Sequence, residues 1–353
     1  MEQEQDIESK LISEDVFIRC TAAKDLSFIP TPEQIERGLT DESPSVREAW
    51  AQRMDYIPSP TQIERGLTDS YDYVRCAWAA RRDFSPTPEQ VERGLRDHHY
   101  RVRREWAFRL DFTPSATQIE RGLTDTDKTV RQVWAERMDW TPTPEQVERG
   151  LTDRDNVVKY AWAKRIDFKP RYELIERGCT DKDDNIRYIW AKRTDWTPTP
   201  EQLERGLTDA SPLVRMAWVH RPDVTFTPEQ IERGLRDTNI SLCSAWARRM
   251  DWTPTPEQIE RGLTDIAWKV RVAWVERTDF TPTPEQMERG AMDNHIAVLK
   301  AWLMRRDLQW TDEIIQNGLQ HSEKSIREVW EWYVKTQNEQ NNEDIEMTAE
   351  CSL

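Results

Sequence analysis

Every glycine of this chain lies 28 residues from the next. The series runs Gly38, Gly66, Gly94, Gly122, Gly150, Gly178, Gly206, Gly234, Gly262, Gly290 and Gly318, which accounts for all 11 glycines. Eleven tryptophans, from Trp50 to Trp330, keep the same step. A fixed period of this size is the signature of a stacked repeat array, in which each repeat buries its apolar face on its neighbours. The length of 353 residues would otherwise suggest two or three globular domains. An array needs no single large core.

Residues 31–58 serve as the type repeat. Thr31-Pro32-Glu33-Gln34 reads as a helix start: Thr caps, Pro suits the first helical position, and Gln at the third can reach back to the cap. Ser or Thr holds the cap in ten of eleven repeats, with Arg171 the exception. Ile35 and Leu39 lie four apart on one face of a short helix. Gly38 either ends that helix in a left-handed cap or lets a neighbouring helix come close. Asp41 is placed to cap a second helix over about 43–53. There Val46, Ala49, Trp50 and Arg53 fall on a single stripe. Pro58 stops any continuation. No stretch alternates with period two, so no strands are expected. Tryptophans on the Val/Ala stripe are expected to be buried between repeats, where they cannot stack on bases.

The string Asp-x4-Val-Arg-x-Ala-Trp-Ala-x-Arg-x-Asp, followed by Thr-Pro-Glu-Gln-Ile-Glu-Arg, resembles HEAT-like and leucine-rich-repeat-variant α-solenoids. It is also similar to repeat proteins of tailed bacteriophages. The resemblance covers about residues 7–335 and implies an all-α, right-handed solenoid of about eleven two-helix repeats. The expected boundaries are a degenerate half repeat over 1–30, the array over 31–335 and an unstructured acidic tail over 336–353. Leucine-rich-repeat variants can carry a cysteine-ligated cluster, and the cysteines for one are missing. The Trp column is also bulkier than the small aliphatic residue usual in HEAT-like repeats. HEAT-like arrays use ladders of charged residues, and Arg47, Arg53, Asp41 and Asp55 begin columns suited to one. Arginine columns could instead track phosphates, though interleaved Asp and Glu oppose that.

The balance of 50 basic and 65 acidic residues gives −15, and about half of it lies near the two ends. A basic nucleic-acid footprint is absent at the level of the whole chain. Five scattered cysteines without a CxxC pair speak against a zinc site, an iron–sulfur cluster or a disulfide framework, and suit reduced thiols in the cytoplasm. No apolar run is long enough to span a membrane, and no signal-peptide core follows Met1. The histidines show no ligand spacing, so no metal or cofactor is expected. Charged columns repeated ten times do not make one catalytic constellation, so no enzyme is expected.

Variation within a constant frame marks where function is expected. Positions 44, 48 and 52 and their equivalents line one face of the second helix. The candidate partner-binding residues are Tyr71, Tyr73, His98, Tyr100, Arg104, Phe108, Tyr160, Lys164, Tyr188 and Trp268, since exposed aromatics favour interfaces. The expected function is a non-enzymatic protein-binding scaffold, by resemblance a phage protein directed at a host or defence protein. The alternatives are a nucleic-acid-binding array, as HEAT-like DNA glycosylases exemplify, or an acidic nucleic-acid mimic.

Overall fold

The computed structural model describes residues 2–350, with side chains from 5 to 337. Among the described residues there are 24 helices and no strand. The chain divides into two compact units, residues 1–178 and 179–353. Unit 1 holds α1 (Glu2–Leu11), α2 (Val16–Lys24), α3 (Pro32–Leu39), α4 (Pro44–Gln52), α5 (Pro60–Leu67), α6 (Asp72–Ala80), α7 (Pro88–Leu95), α8 (Tyr100–Ala107), α9 (Ala116–Leu123), α10 (Lys128–Glu136), α11 (Pro144–Leu151) and α12 (Asn156–Lys164), and α13 (Tyr172–Cys179) reaches the boundary. Unit 2 holds α14 (Asp184–Lys192), α15 (Pro200–Leu207), α16 (Pro212–Val219), α17 (Pro228–Leu235), α18 (Ile240–Arg248), α19 (Pro256–Leu263), α20 (Trp268–Val275), α21 (Pro284–Ala291), α22 (Ile296–Leu303), α23 (Asp312–Leu319) and α24 (Lys324–Glu350).

The first helix of each repeat begins as the sequence requires. Thr31 Oγ1 accepts a hydrogen bond from the Gln34 amide at 3.3 Å, and Gln34 Oε1 accepts one from the Thr31 amide at 2.9 Å. Pro32 fills a position where no amide donor is needed. Ile35, Gly38 and Leu39 form the buried edge. The helix stops at Thr40, whose hydroxyl donates to the Glu36 carbonyl at 2.7 Å.

Asp41 does not cap the second helix, contrary to expectation. Its Oδ1 accepts the Ser43 amide at 2.8 Å, which shapes the turn, and the cap position passes to Ser43. The carboxylate is also claimed from outside by a guanidinium, Arg19 of the preceding repeat. Within the second helix Val46, Ala49 and Trp50 are each 1 % exposed. Second helices of successive repeats pack side by side within each unit, and the indoles are sealed between layers.

The glycines settle as sites of close approach. Among the described residues none has positive φ, so none of these glycines is a left-handed cap. A Cβ built on Gly38 would lie 2.1 Å from Trp50 Nε1, and the other Gly–Trp pairs described give 2.0–2.4 Å. The indole therefore lies flat on bare helix backbone. Turn aromatics complete the cage: Trp140 meets Trp162 edge-on at 6.1 Å in unit 1, and Trp196 meets Trp218 at 5.9 Å in unit 2.

Two boundary expectations change. Residues 2–24 form both α1 and α2, packed on each other, so the first segment carries a two-helix repeat and not half of one. Lys10 stands there in the glycine place and Ala22 in the tryptophan place. At the other end α24 runs to Glu350, through the stretch expected to be unstructured. That stretch is free of Gly and Pro, so no helix breaker interrupts it. Residues 351–353, and Cys351 among them, lie outside the described residues.

Candidate functional site

The charged columns are consumed by the frame. Arg47 donates through Nε and Nη2 to both carboxylate oxygens of Asp69 in the next repeat, at 2.7 and 2.9 Å. Its Nη1 reaches back to the carbonyls of Asp41 and Glu42. Arg75, Arg103 and Arg131 repeat this on Asp97, Asp125 and Asp153, as do Arg187, Arg215 and Arg271 on Asp209, Asp237 and Asp293 in unit 2. Burial alone would push the Asp69 carboxyl up. The Arg47 hydrogen bonds and the Tyr71 amide outweigh it and hold the group below its ordinary range.

A second ladder runs through the helix ends. Arg109 is fully buried and binds Asp111 at 2.5 and 3.0 Å. It also binds carbonyls at the end of the previous second helix, at Ala79 and Arg81, and that of Phe84 in the turn after it. Its guanidinium lies 4.7 Å from the Phe84 ring centroid and 5.4 Å from that of Trp106. A planar group with five donors suits this place, and a point charge does not.

A third ladder joins first helices. The Gln118 side chain, whose oxygen closes the cap at Ser115, donates through Nε2 to Glu92, which also binds Arg121 and Arg96. Burial works against the charged form of Glu92, but these donors prevail and lower its pKa to about 2. The recurring Arg, Asp and Glu columns thus find their partners inside the array.

What the frame leaves free is the outer face of the second helices. In unit 1, Tyr71 and Tyr73 sit at the start of α6 with ring centroids 5.7 Å apart, and Arg47 lies 5.7 Å from the Tyr71 ring. His98 is exposed beside Arg75 and Asp97. His99 reaches Asp72 at 3.1 Å and stacks obliquely on Tyr100 at 5.1 Å, which joins the edges of α6 and α8. Arg104 lies over the exposed Phe108 ring at 4.7 Å. These residues form one cluster over two repeats. Tyr160, half-buried, and Lys164, exposed, share α12 two repeats further on and stand apart from it.

In unit 2, Tyr188 is half-buried with the Lys192 ammonium 5.4 Å from its ring. Trp268 is 38 % exposed and stacks face to face on His295 at 4.2 Å. A surface cavity of about 440 Å³ is lined by Tyr188, Lys192, Met216 and His220. Another of about 480 Å³ is lined by Ile240, Ser241, Trp268 and Lys269.

One exposed feature escaped the sequence reading. Leu26, Met54, Leu110, Met138 and Ile166 occupy one column in unit 1 and all are exposed; the last four directly follow a buried arginine, and Leu26 follows Asp25. Arg82, the sixth member, folds back onto the carbonyls of Ala79 and Ala80 at its own helix end. The 28-residue recurrence of apolar residues in a turn was the available signal. No group of three or more His, Cys, Asp or Glu able to hold a metal occurs among the described residues. No helix among them is long and apolar enough to cross a membrane.

A family model described as a HEAT repeat associated with sister chromatid cohesion matches residues 33–49, within a single repeat. No curated protein matches the chain. One similar solved structure is a leucine-rich repeat variant with a novel repetitive structural motif: 22 % identity, TM-score 0.45, covering 75 % of this chain and 94 % of that one. Another is an engineered protein at 14 % identity and TM-score 0.30, covering 95 % and 98 %. A third belongs to computationally designed armadillo repeat proteins for modular peptide recognition, at 14 % identity and TM-score 0.11, covering 94 % and 98 %. These structural likenesses are too distant to carry an argument. The family match covers part of one repeat, and the repeated two-helix architecture is read from the chain's own helices.

Proposed function

We propose that this chain is a non-catalytic scaffold that holds a protein partner on the outer face of its second helices. The observation that carries the reading is the division of labour among its residues. Columns that recur are tied to one another, while the residues that change from repeat to repeat gather at the start and along the outer side of the second helices, with Tyr71, Phe108 and Trp268 exposed and Tyr73, Tyr100 and Tyr188 half-buried. Aromatic and arginine side chains at partly exposed positions are favoured interface anchors. The resemblance to phage repeat proteins extends the reading to a partner from a host or its defences, met in the cytoplasm, a setting that suits the free thiols of the four cysteines among the described residues. Guanidinium groups bound bidentately to carboxylates are poor phosphate ligands, so a nucleic-acid track is disfavoured.

The test is a Tyr100→Ala, Arg104→Ala, Phe108→Ala triple variant. It is expected to keep the wild-type helicity and melting temperature while losing proteins retained by the wild type from a host lysate. Unchanged capture removes the cluster from the interface. A collapse in melting shows that these side chains hold the fold.

A further inference from the structure

We infer that the second-helix face of unit 2 takes an acidic peptide segment bearing apolar anchors, seated against Trp268 and met by three lysines. The inference rests on the scaffold reading and adds the class of partner and its seat.

The apolar side is built from one position in consecutive repeats. Ile240, Trp268 and Ile296 are all exposed. One face of the Trp268 ring is taken by His295 of the following repeat. On the other side, toward α18, lies the cavity of about 480 Å³, and a smaller one of about 260 Å³ is lined by Ser244, Trp268 and Val272. Exposed indole beside an open apolar cavity suits an apolar side chain inserted between two helices.

The charge on this face runs against that of the chain as a whole. Three lysines reach over aromatic rings rather than to carboxylates: Lys192 over Tyr188 at 5.4 Å, Lys269 over Trp268 at 5.7 Å and Lys300 over Trp332 at 5.8 Å. Most of the acids nearby are engaged; Glu328 lies 3.5 Å from Lys324, and Glu331 beside Trp332 is exposed. Glu276 binds Arg248 at 3.0 Å, and Asp184 accepts the Ser211 hydroxyl at 2.8 Å. Asp265 shapes the turn before α20 through the Ala267 amide. In a chain of net charge −15, three ammonium groups set over aromatic rings and not against carboxylates are complementary to carboxylates between apolar residues. Neighbouring helices lie about 8–10 Å apart, roughly one three-residue turn of a polyproline II chain, in which every third side chain shares a face, so anchors at every third residue match successive repeats.

The probe is a fluorescein-labelled peptide of about twelve residues with Phe at every third position and Glu between, long enough to cross about four repeats when extended. Fluorescence anisotropy with the full chain is expected to show saturable binding that weakens as salt rises. Trp268→Ala, and separately the reversal Lys192→Glu, Lys269→Glu, Lys300→Glu, are each expected to weaken it at least about tenfold with circular dichroism unchanged. Replacing Glu by Lys in the peptide is expected to abolish it. No binding, equal binding of the basic peptide, or binding indifferent to both variants overturns the inference. Lysate capture that still depends on Tyr100, Arg104 and Phe108 would then leave the scaffold reading standing, so the two fail separately.

Discussion

Adding one methyl group to a glycine should destabilise this protein, and removing a tryptophan should reverse the sign of that effect. At Gly150 a Cβ would lie 2.2 Å from Trp162 Cε2 and Nε1. Carbon atoms in contact sit about 3.5–4.0 Å apart, so the ring would have to withdraw by roughly 1.3 Å. Trp162 is 1 % exposed and has nowhere to go. Overpacking of this kind costs about 1–3 kcal/mol, and the overlap with a rigid ring puts it near the upper figure. Against this, Ala is favoured over Gly in a helix interior by about 1 kcal/mol. Gly150→Ala alone should therefore lose about 2 kcal/mol. Trp162→Ala should lose about 3–5 kcal/mol through the cavity it leaves. In the Trp162→Ala background the clash is gone, and Gly150→Ala should stabilise by about 1 kcal/mol. The coupling between the two sites is then about 3 kcal/mol, beyond the range of independent sites. Repeat arrays need not unfold in one step, so the cycle is best read by native-state hydrogen exchange at α11 and α12 together with urea denaturation. The reasoning is refuted if Gly150→Ala has the same sign in both backgrounds. The first repeat already pairs Lys10 with Ala22, the combination this argument permits.

Two further outcomes follow from the ladders and a third from a half-buried thiol. Arg109→Lys keeps the charge but leaves carbonyls at Ala79, Arg81 or Phe84 without donors, and should cost about 2–4 kcal/mol in a chemical denaturation series. Glu92 and Glu232 are held at about 2 against an ordinary 4.5, with burial opposing and their Arg and Gln donors prevailing. Because the folded pKa lies below the unfolded one, their stabilisation is complete above about pH 5 and is lost as pH falls toward 2. Melting temperature should drop over that window, and Glu92→Gln with Glu232→Gln should flatten the drop. The Cys76 thiol is pushed up to about 12 by burial first and then by Glu105, Asp72 and Asp97. It should resist alkylation by iodoacetamide at pH 8 in the folded chain and react once unfolded, as mass spectrometry of the Cys76 peptide would show.

The frame was legible because its determinants are local and repeated. Thr31, Pro32 and Gln34 announce a helix start through their own backbone chemistry, and Trp50 falls on a stripe that must be buried. The choice at Gly38 was not legible. A left-handed cap and a close approach both call for glycine, and only the position of Trp50 separates them. Asp41 was misplaced because a carboxylate two residues before a helix shapes the turn in much the same sequence context as one that caps it. The first repeat was read as half because both of its anchors are absent. Yet the loss of Gly and Trp together is what their contact demands, since the methylene of Lys10 fits only where Ala22 leaves room.

The candidate site divides along the same line. Which residues face outward could be derived in part: Phe108 at position 52 and Trp268 at position 44 are exposed, whereas position 48 is half-buried at Tyr188 and buried at Ser244. How they combine could not. The stacking of Trp268 on His295 depends on two different repeats, and the same period places an ordinary Ile240–Ala267 pair one repeat earlier. A frame residue is constrained by a copy of its own repeat, so it recurs and can be read. A residue on the outer face answers to a molecule that is not in the sequence, and its only trace is a departure from the period. The surface where Lys192, Lys269 and Lys300 each choose an aromatic ring over a carboxylate is such a departure, and it is where a partner's chemistry is best sought.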